Sequence, residues 1–150
     1  MRVNVQSLLL ESLRSGTVAS LAIMPLGWLF RALDLRIGHY GPKFAALFID
    51  QPQPWQLFVQ HLVIGWISAL PLLLLLLLQP RAAARPVLSG AAYGAAFYGA
   101  VNSLALPLYF GDFTPWQLGW PVVWPSLLGH VAYGACIGFT ARRWVLRTAP

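Results

Sequence analysis

The chain has 150 residues, 58% of them hydrophobic and 9% charged, with a mean hydropathy of +0.64, a balance that excludes an ordinary water-soluble globular domain. A net charge of +6 would suit nucleic acid, but the basic residues stand beside apolar windows and read as membrane topology, so no nucleic-acid partner is expected. CxxC, HExxH, GxGxxG and P-loop patterns are all missing, which leaves motif-borne soluble-enzyme chemistry without a foothold and points to a non-enzymatic protein whose main partner is the lipid bilayer.

A hydrocarbon core of about 30 Å takes roughly 20 residues of helix. Four windows are that apolar: residues 11–32, 55–78, 86–108 and 124–140. The predicted fold class is therefore all-α, a single integral membrane bundle of four transmembrane helices.

The first window is too long for a typical signal-peptide h-region and lacks the small-x-small pattern after it, so it is expected to remain in the protein. Glu11 precedes Arg14 by about one helical turn, which predicts a local ion pair at the inner interface. The outward loop that follows contains "GPKFAALFID", a segment able to form a short surface helix started by Pro42. His39, in "RIGHYGPK", reads as ordinary loop chemistry.

The second window carries His61 in "LFVQHLVIGWISA" and ends in seven leucines, Leu72 to Leu78. These read as lipid-facing filler around a smaller contact stripe. The short link "QPRAAARP" predicts that the second and third helices are antiparallel neighbours. In the third window Gly90 and Gly94 stand at GxxxG spacing beside an Ala92, Ala96, Ala100 ladder. Tyr93 and Tyr98 there fill the groove those glycines open, or line a pore. The fourth window, "SLLGHVAYGACIG", holds His130, Gly134, Cys136 and Gly138. Small residues let helix backbones approach in lipid, so the first, third and fourth helices are expected to pack most closely, with Gly16 and Ser20 as the weaker contribution of the first. Pro25 and Pro71 read as static kinks or as hinges.

Seven of the ten cations (Arg2, Arg14, Arg81, Arg85, Arg142, Arg143 and Arg147) fall on one side of these windows. Arg31, Arg36 and Lys43 fall on the other, where Asp34, Asp50 and Asp112 offset them. The positive-inside rule then places both termini and "QPRAAARP" in the cytoplasm. Trp28, Trp55, Trp116, Trp120 and Trp124 form the outer interfacial belt and Trp144 marks the inner one.

A duplicated two-helix unit is suggested by "MPLGW" against "LPLYF" and by "HLVIGW" against "HVAYGA". His61 and His130 each follow a tryptophan by six residues, about 9 Å of helix, and so share one depth. Five residues before the matched prolines stand Ser20 and Asn102. The four helices thus each contribute one member of a predicted polar cluster, Ser20, His61, Asn102 and His130, facing inward because polar side chains avoid lipid.

Three readings of the histidines stay open. Each ring hydrogen-bonds a neighbouring helix and fixes packing; the pair handles protons or ions; or a metal or haem is held between His61 and His130, since helical bundles ligate cofactors from facing helices. The corresponding functions are a membrane protein handling protons or small solutes, a haem-binding electron carrier, and an accessory subunit or homo-oligomer that uses its small-residue faces as contacts.

The run "LPLYFGDFTPWQLGWPVVWPSLLGHVAYGACIGFTARR", Leu106 to Arg143, has a proline-ended helix, a Trp/Pro loop, a Gly-His pair and a basic exit in that order. "VQHLVIGW" echoes it more loosely. Over roughly the last 90 residues the chain resembles the YagU family of small bacterial inner-membrane proteins and related four-helix families. That resemblance implies an inner-membrane location and a contribution to acid resistance.

Overall fold

The computed structural model describes residues 4–35 and 40–148; His39, Arg2 and Arg36 lie outside them. Among the described residues the structure is helical throughout, without strands: α1 (Val5–Ala32), α2 (Tyr40–Ala45), α3 (Pro54–Leu78), α4 (Pro80–Ala83), α5 (Pro86–Phe97), a π-helical segment (Tyr98–Ala105), α6 (Leu106–Phe110), α7 (Pro115–Leu118) and α8 (Trp120–Thr148). Three of these, α1, α3 and α8, with 28, 25 and 29 residues, are long and apolar enough to cross a membrane. The third predicted window is helical from Pro86 to Phe110, but it is divided among α5, the π segment and α6.

Local chemistry accounts for the helix ends. Asn4 caps α1 by accepting from the Ser7 amide at 3.2 Å. Pro54 opens α3 at a position where its missing N–H costs nothing, while Gln56 reaches back to the Gln53 amide at 2.8 Å. Gly111, at φ +65°, ends α6 in the left-handed conformation that glycine adopts without strain. The π segment lies just before Pro107. Its last turn widens so that the Leu106 amide donates to the Val101 carbonyl, five residues back, and the wider turn eases the clash a proline ring makes with the preceding turn.

Close backbone approach decides which helices pair. The α5–α8 seam is an antiparallel zipper. A Cβ on Gly90 would fall 2.1 Å from the Gly134 carbonyl oxygen, one on Gly94 2.0 Å from that of His130, and one on Gly138 2.0 Å from that of Pro86. Each rung moves four residues up one helix and four down the other. One further step along the same spacing falls on Tyr98 and Ser126, both buried, and the π segment begins where this ring stands in place of a glycine. A second, looser crossing joins α1 to α3, where a Cβ on Gly16 would meet the Gly65 carbonyl oxygen at 2.9 Å. Helices α1 and α8 join the two pairs.

Two expectations are corrected. The leucine run of α3 is not lipid-facing filler: Leu72, Leu73, Leu76 and Leu77 are buried and pack with Leu8, Ala19, Ala69, Ile137, Ala141 and Val145 as the inner core, while Leu75 and Leu78 stay exposed. A helical stripe buries one face of a uniform run, so composition alone could not divide it. The link from α3 to α5 also does not make them close neighbours. They touch sparsely, because glycine holds α5 on α8 and α3 on α1.

The outer surface of the bundle is apolar, with Leu9, Leu10, Leu21, Val59, Ile67, Leu128 and Phe139 all exposed. The buried polar side chains are Glu11, Ser12, Ser15, Ser20, Ser68, Ser103 and Ser126. An apolar exterior over a partly polar interior suits lipid as the solvent.

Candidate functional site

Pro71 lacks the amide that would bond the Ile67 carbonyl, which loosens the turn of α3 before it. Carbonyls of that turn receive side chains from three other helices. Tyr133 of α8 donates its hydroxyl to the Gly65 carbonyl at 2.6 Å, Ser12 of α1 donates to that of Trp66, and Tyr93 of α5 donates to that of Ser68. The Ser68 hydroxyl lies 3.1 Å from the Tyr133 hydroxyl. On the other side of the same turn, the Trp66 indole donates to Thr17 at 2.8 Å. All four long helical rods therefore meet at Gly65–Ser68.

The Ser20 hydroxyl is buried beside this cluster without a hydrogen-bond partner among the described residues, so close to Gly65 that a Cβ there would lie 2.2 Å from it. One turn outward, His61 donates through Nε2 to the Ser20 carbonyl at 3.2 Å. His130 donates through Nδ1 to the Ser126 carbonyl, four residues back on its own helix, at 2.7 Å. A carbonyl only accepts, so the two neutral rings are opposite tautomers. His61 keeps the Nδ1 lone pair and His130 the Nε2 lone pair, each able to take a proton. The His130 ring lies along Phe97, with centroids 6.1 Å apart, and tilts against Tyr98 at 5.4 Å.

The four residues of the predicted cluster do not come together as one group and lie in two neighbourhoods. Ser20 and His61 meet directly; His130 is placed against the helical rod that carries Asn102. Asn102 itself is half-buried in the π segment and makes no side-chain hydrogen bond among the described residues. No hydrogen bond or ring contact joins His61 to His130 among the described residues. Tyr98 and Ser103, both in the π segment, bury hydroxyls that have no partner among the described residues.

The end of the bundle where α1 begins and α8 finishes carries a further polar group. Arg14 clasps buried Glu11 with Nε to Oε2 at 3.0 Å and a terminal nitrogen to Oε1 at 2.7 Å. It also donates to the Thr140 carbonyl at 2.7 Å, tying α1 to α8. The predicted local ion pair is present and has this added inter-helix role. Trp144 donates to Ser7 at 2.7 Å, and a shallow cavity of about 300 Å³ opens between Asn4, Ser7, Glu11, Arg14 and Trp144. At the opposite end of the bundle Lys43 pairs with Asp112 at 2.6 Å, joining α2 to the link between α6 and α7. The Tyr40 phenol, stacked on Phe110, titrates above its usual range because burial and then the Asp112 charge disfavour the phenolate.

Sequence reading missed Ser12, Ser15, Ser68 and Tyr133 as members of the site. A signal existed in α1, where Ser12, Gly16 and Ser20 recur at four-residue spacing on one face, as do Ser7, Glu11 and Ser15. Among the described residues, no three His, Cys, Asp or Glu side chains gather as a metal site. Compared with protein-family models, curated proteins and solved structures, the chain matches none.

Proposed function

We propose that the chain is a non-enzymatic multi-pass protein of a bacterial inner membrane. Its helical rods cross four times, with both termini cytoplasmic, and it passes protons or a small polar solute in support of acid or envelope homeostasis. The fourth crossing is the rod from Pro86 to Phe110, whose 25 residues rise roughly 37 Å as α-helix, enough for a hydrocarbon core of about 30 Å. The orientation rests on the seven clustered cations, and the acid-homeostasis element rests on the resemblance of Leu106 to Arg143 to the YagU family.

One observation carries the solute-handling reading: polar groups succeed one another through the depth of the bundle. From the inner end they run through Glu11 and Arg14, Ser12 and Ser15, the Gly65–Ser68 cluster with Tyr93 and Tyr133, Ser20 with His61, then His130, Tyr98 and Ser103. Three of their hydroxyls are buried without partners, and such groups are costly in lipid unless a mobile partner supplies the bond. In vesicles with an imposed pH gradient and an internal pH dye, the wild-type chain should dissipate the gradient several-fold faster than protein-free vesicles, and Tyr133→Phe should slow it. A rate equal to that of protein-free vesicles overturns the proton reading.

A further inference from the structure

The cavity between the start of α1 and the end of α8 is lined by hydrogen-bond donors that the fold leaves unused. Arg14 directs Nε and one terminal nitrogen to Glu11 and to the Thr140 carbonyl. Its other terminal nitrogen, Nη1, makes no hydrogen bond among the described residues. Asn4 commits its side-chain oxygen to the Ser7 amide and keeps its NH₂. Ser7 accepts from the Trp144 indole, and a hydroxyl that accepts retains its proton to donate. These side chains line the cavity together with Gln6 and Leu10.

Charge at this end is one-sided. Glu11 is the only acidic side chain there, since Asp34, Asp50 and Asp112 belong to the opposite end, and its carboxylate is buried and held by two bonds from Arg14. Arg147 stands about one turn beyond Trp144 on the same face of α8. The depth is also defined. The 28 residues of α1 rise about 42 Å, roughly 12 Å more than a hydrocarbon core of about 30 Å. The charged pair and the Trp144 indole place the start of this helix in a headgroup layer, where both kinds of side chain are at home.

We propose that this cavity holds the phosphate of a phospholipid headgroup, with Arg14 Nη1, the Ser7 hydroxyl and the Asn4 NH₂ as its donors. A guanidinium with one nitrogen free makes charge-assisted hydrogen bonds to phosphate oxygens, and basic pockets between membrane helices suit lipid headgroups. Leu10, exposed at the rim, offers apolar surface to the glycerol and the first acyl carbons, which a free phosphate ion would leave unused. The inference rests on the membrane placement of α1 and α8. It holds for either orientation of the chain and is independent of the solute-handling reading.

The test is native mass spectrometry of the full chain in detergent, titrated with phosphatidylglycerol. One lipid should bind in preference to the rest. Asn4→Asp keeps an oxygen that caps α1, because Asp caps as well as Asn, but it replaces the donor NH₂ with negative charge. Affinity for that lipid should fall about tenfold, the equivalent of one charge-assisted hydrogen bond, while thermal unfolding stays at the wild-type temperature or above. Gln6→Glu carries the same expectation if the first variant does not fold. Gln56→Glu adds the same charge at the start of α3, at the opposite end, where it retains an oxygen for the Gln53 amide, and it should bind the lipid as the wild type does. Diacylglycerol, which has the acyl chains without the phosphate, should not occupy the site. Equal affinity of wild type and Asn4→Asp, an equal loss in Gln56→Glu, or equal binding of diacylglycerol each overturns the proposal. Displacement of the lipid by millimolar orthophosphate overturns the lipid as the source and makes the free ion the ligand.

Discussion

Alanine at position 65 would place a methyl carbon 2.2 Å from the Ser20 hydroxyl oxygen, a clash with the end of one side chain. Overpacking of that kind costs about 1–3 kcal/mol, and Gly65→Ala should lower stability in detergent by that amount. Because the obstacle is a side-chain atom, Ser20→Ala in the same chain should recover most of the loss. Strict additivity of the two substitutions in a double-mutant cycle would contradict the contact. Tyr133→Phe removes the donor to the Gly65 carbonyl while keeping the ring, and its cost should fall near the 0.6 kcal/mol typical of hydrogen bonds between membrane helices, up to about 1.7. No measurable loss would mean that the ring, not the hydroxyl, carries the contact, and a loss above about 3 kcal/mol would mean that the hydroxyl supports more of the cluster than this one bond. At this scale the sequence was only partly legible. Histidines and glycines announce themselves by rarity or spacing, whereas Ser12, Ser68 and Tyr133 matter through which carbonyl they reach, and no local pattern encodes that partner.

At the scale of elements, backbone faces backbone along α5 and α8. A methyl at Gly94 or Gly134 would lie 2.0 Å from a carbonyl oxygen of the other helix, and a carbonyl cannot rotate away as a hydroxyl can. Gly94→Ala and Gly134→Ala should each cost at least as much as Gly65→Ala, about 1–3 kcal/mol or more, with no single compensating substitution. Gly129, also in α8, has no atom within 4 Å of its would-be Cβ. Gly129→Ala should therefore be neutral or stabilise by up to about 1 kcal/mol through helix propensity. Equal effects at 129 and 134, measured by thermal unfolding in one detergent, would sink the zipper. The GxxxG spacing of these glycines was readable in advance. The π segment was not, because it arises where Tyr98 takes the place of a glycine on the zipper and Pro107 follows, a conjunction of tertiary contact and sequence. The buried half of the leucine run was equally hidden, since seven identical residues contain no periodicity for a moment to detect.

For the whole molecule, hydropathy carried the reading furthest, while the orientation read from charge awaits its own measurement. Reporter fusions at either terminus should give cytoplasmic signals and an insertion after Gln53 an external one; a cytoplasmic signal at Gln53 would reverse the topology. The observed helices differ from the expected windows mainly at the start of α1 and the end of α8, which run further as Val5–Ala32 and Trp120–Thr148, and in the third window, which is divided among α5, the π segment and α6. Helical neighbours were less legible than helices. A short link implied that α3 and α5 lie side by side, but in lipid the connection is weaker guidance than close packing, and each helix follows its glycines to another partner.

The zipper also limits how such a chain can change. In an ordinary core a large residue on one side and a small one on the other can exchange places, so sequences drift in matched pairs. At Gly90 and Gly134 both sides are already at the minimum size and each faces the other's main chain. There is no smaller residue with which one helix could answer a larger one. Drift should therefore be blocked along this seam and free in the leucine core, where aliphatic residues of similar volume interchange. In a random-substitution library selected for folded protein, the two regions should separate by their tolerance for replacement, with the glycine rungs invariant while the buried leucines vary.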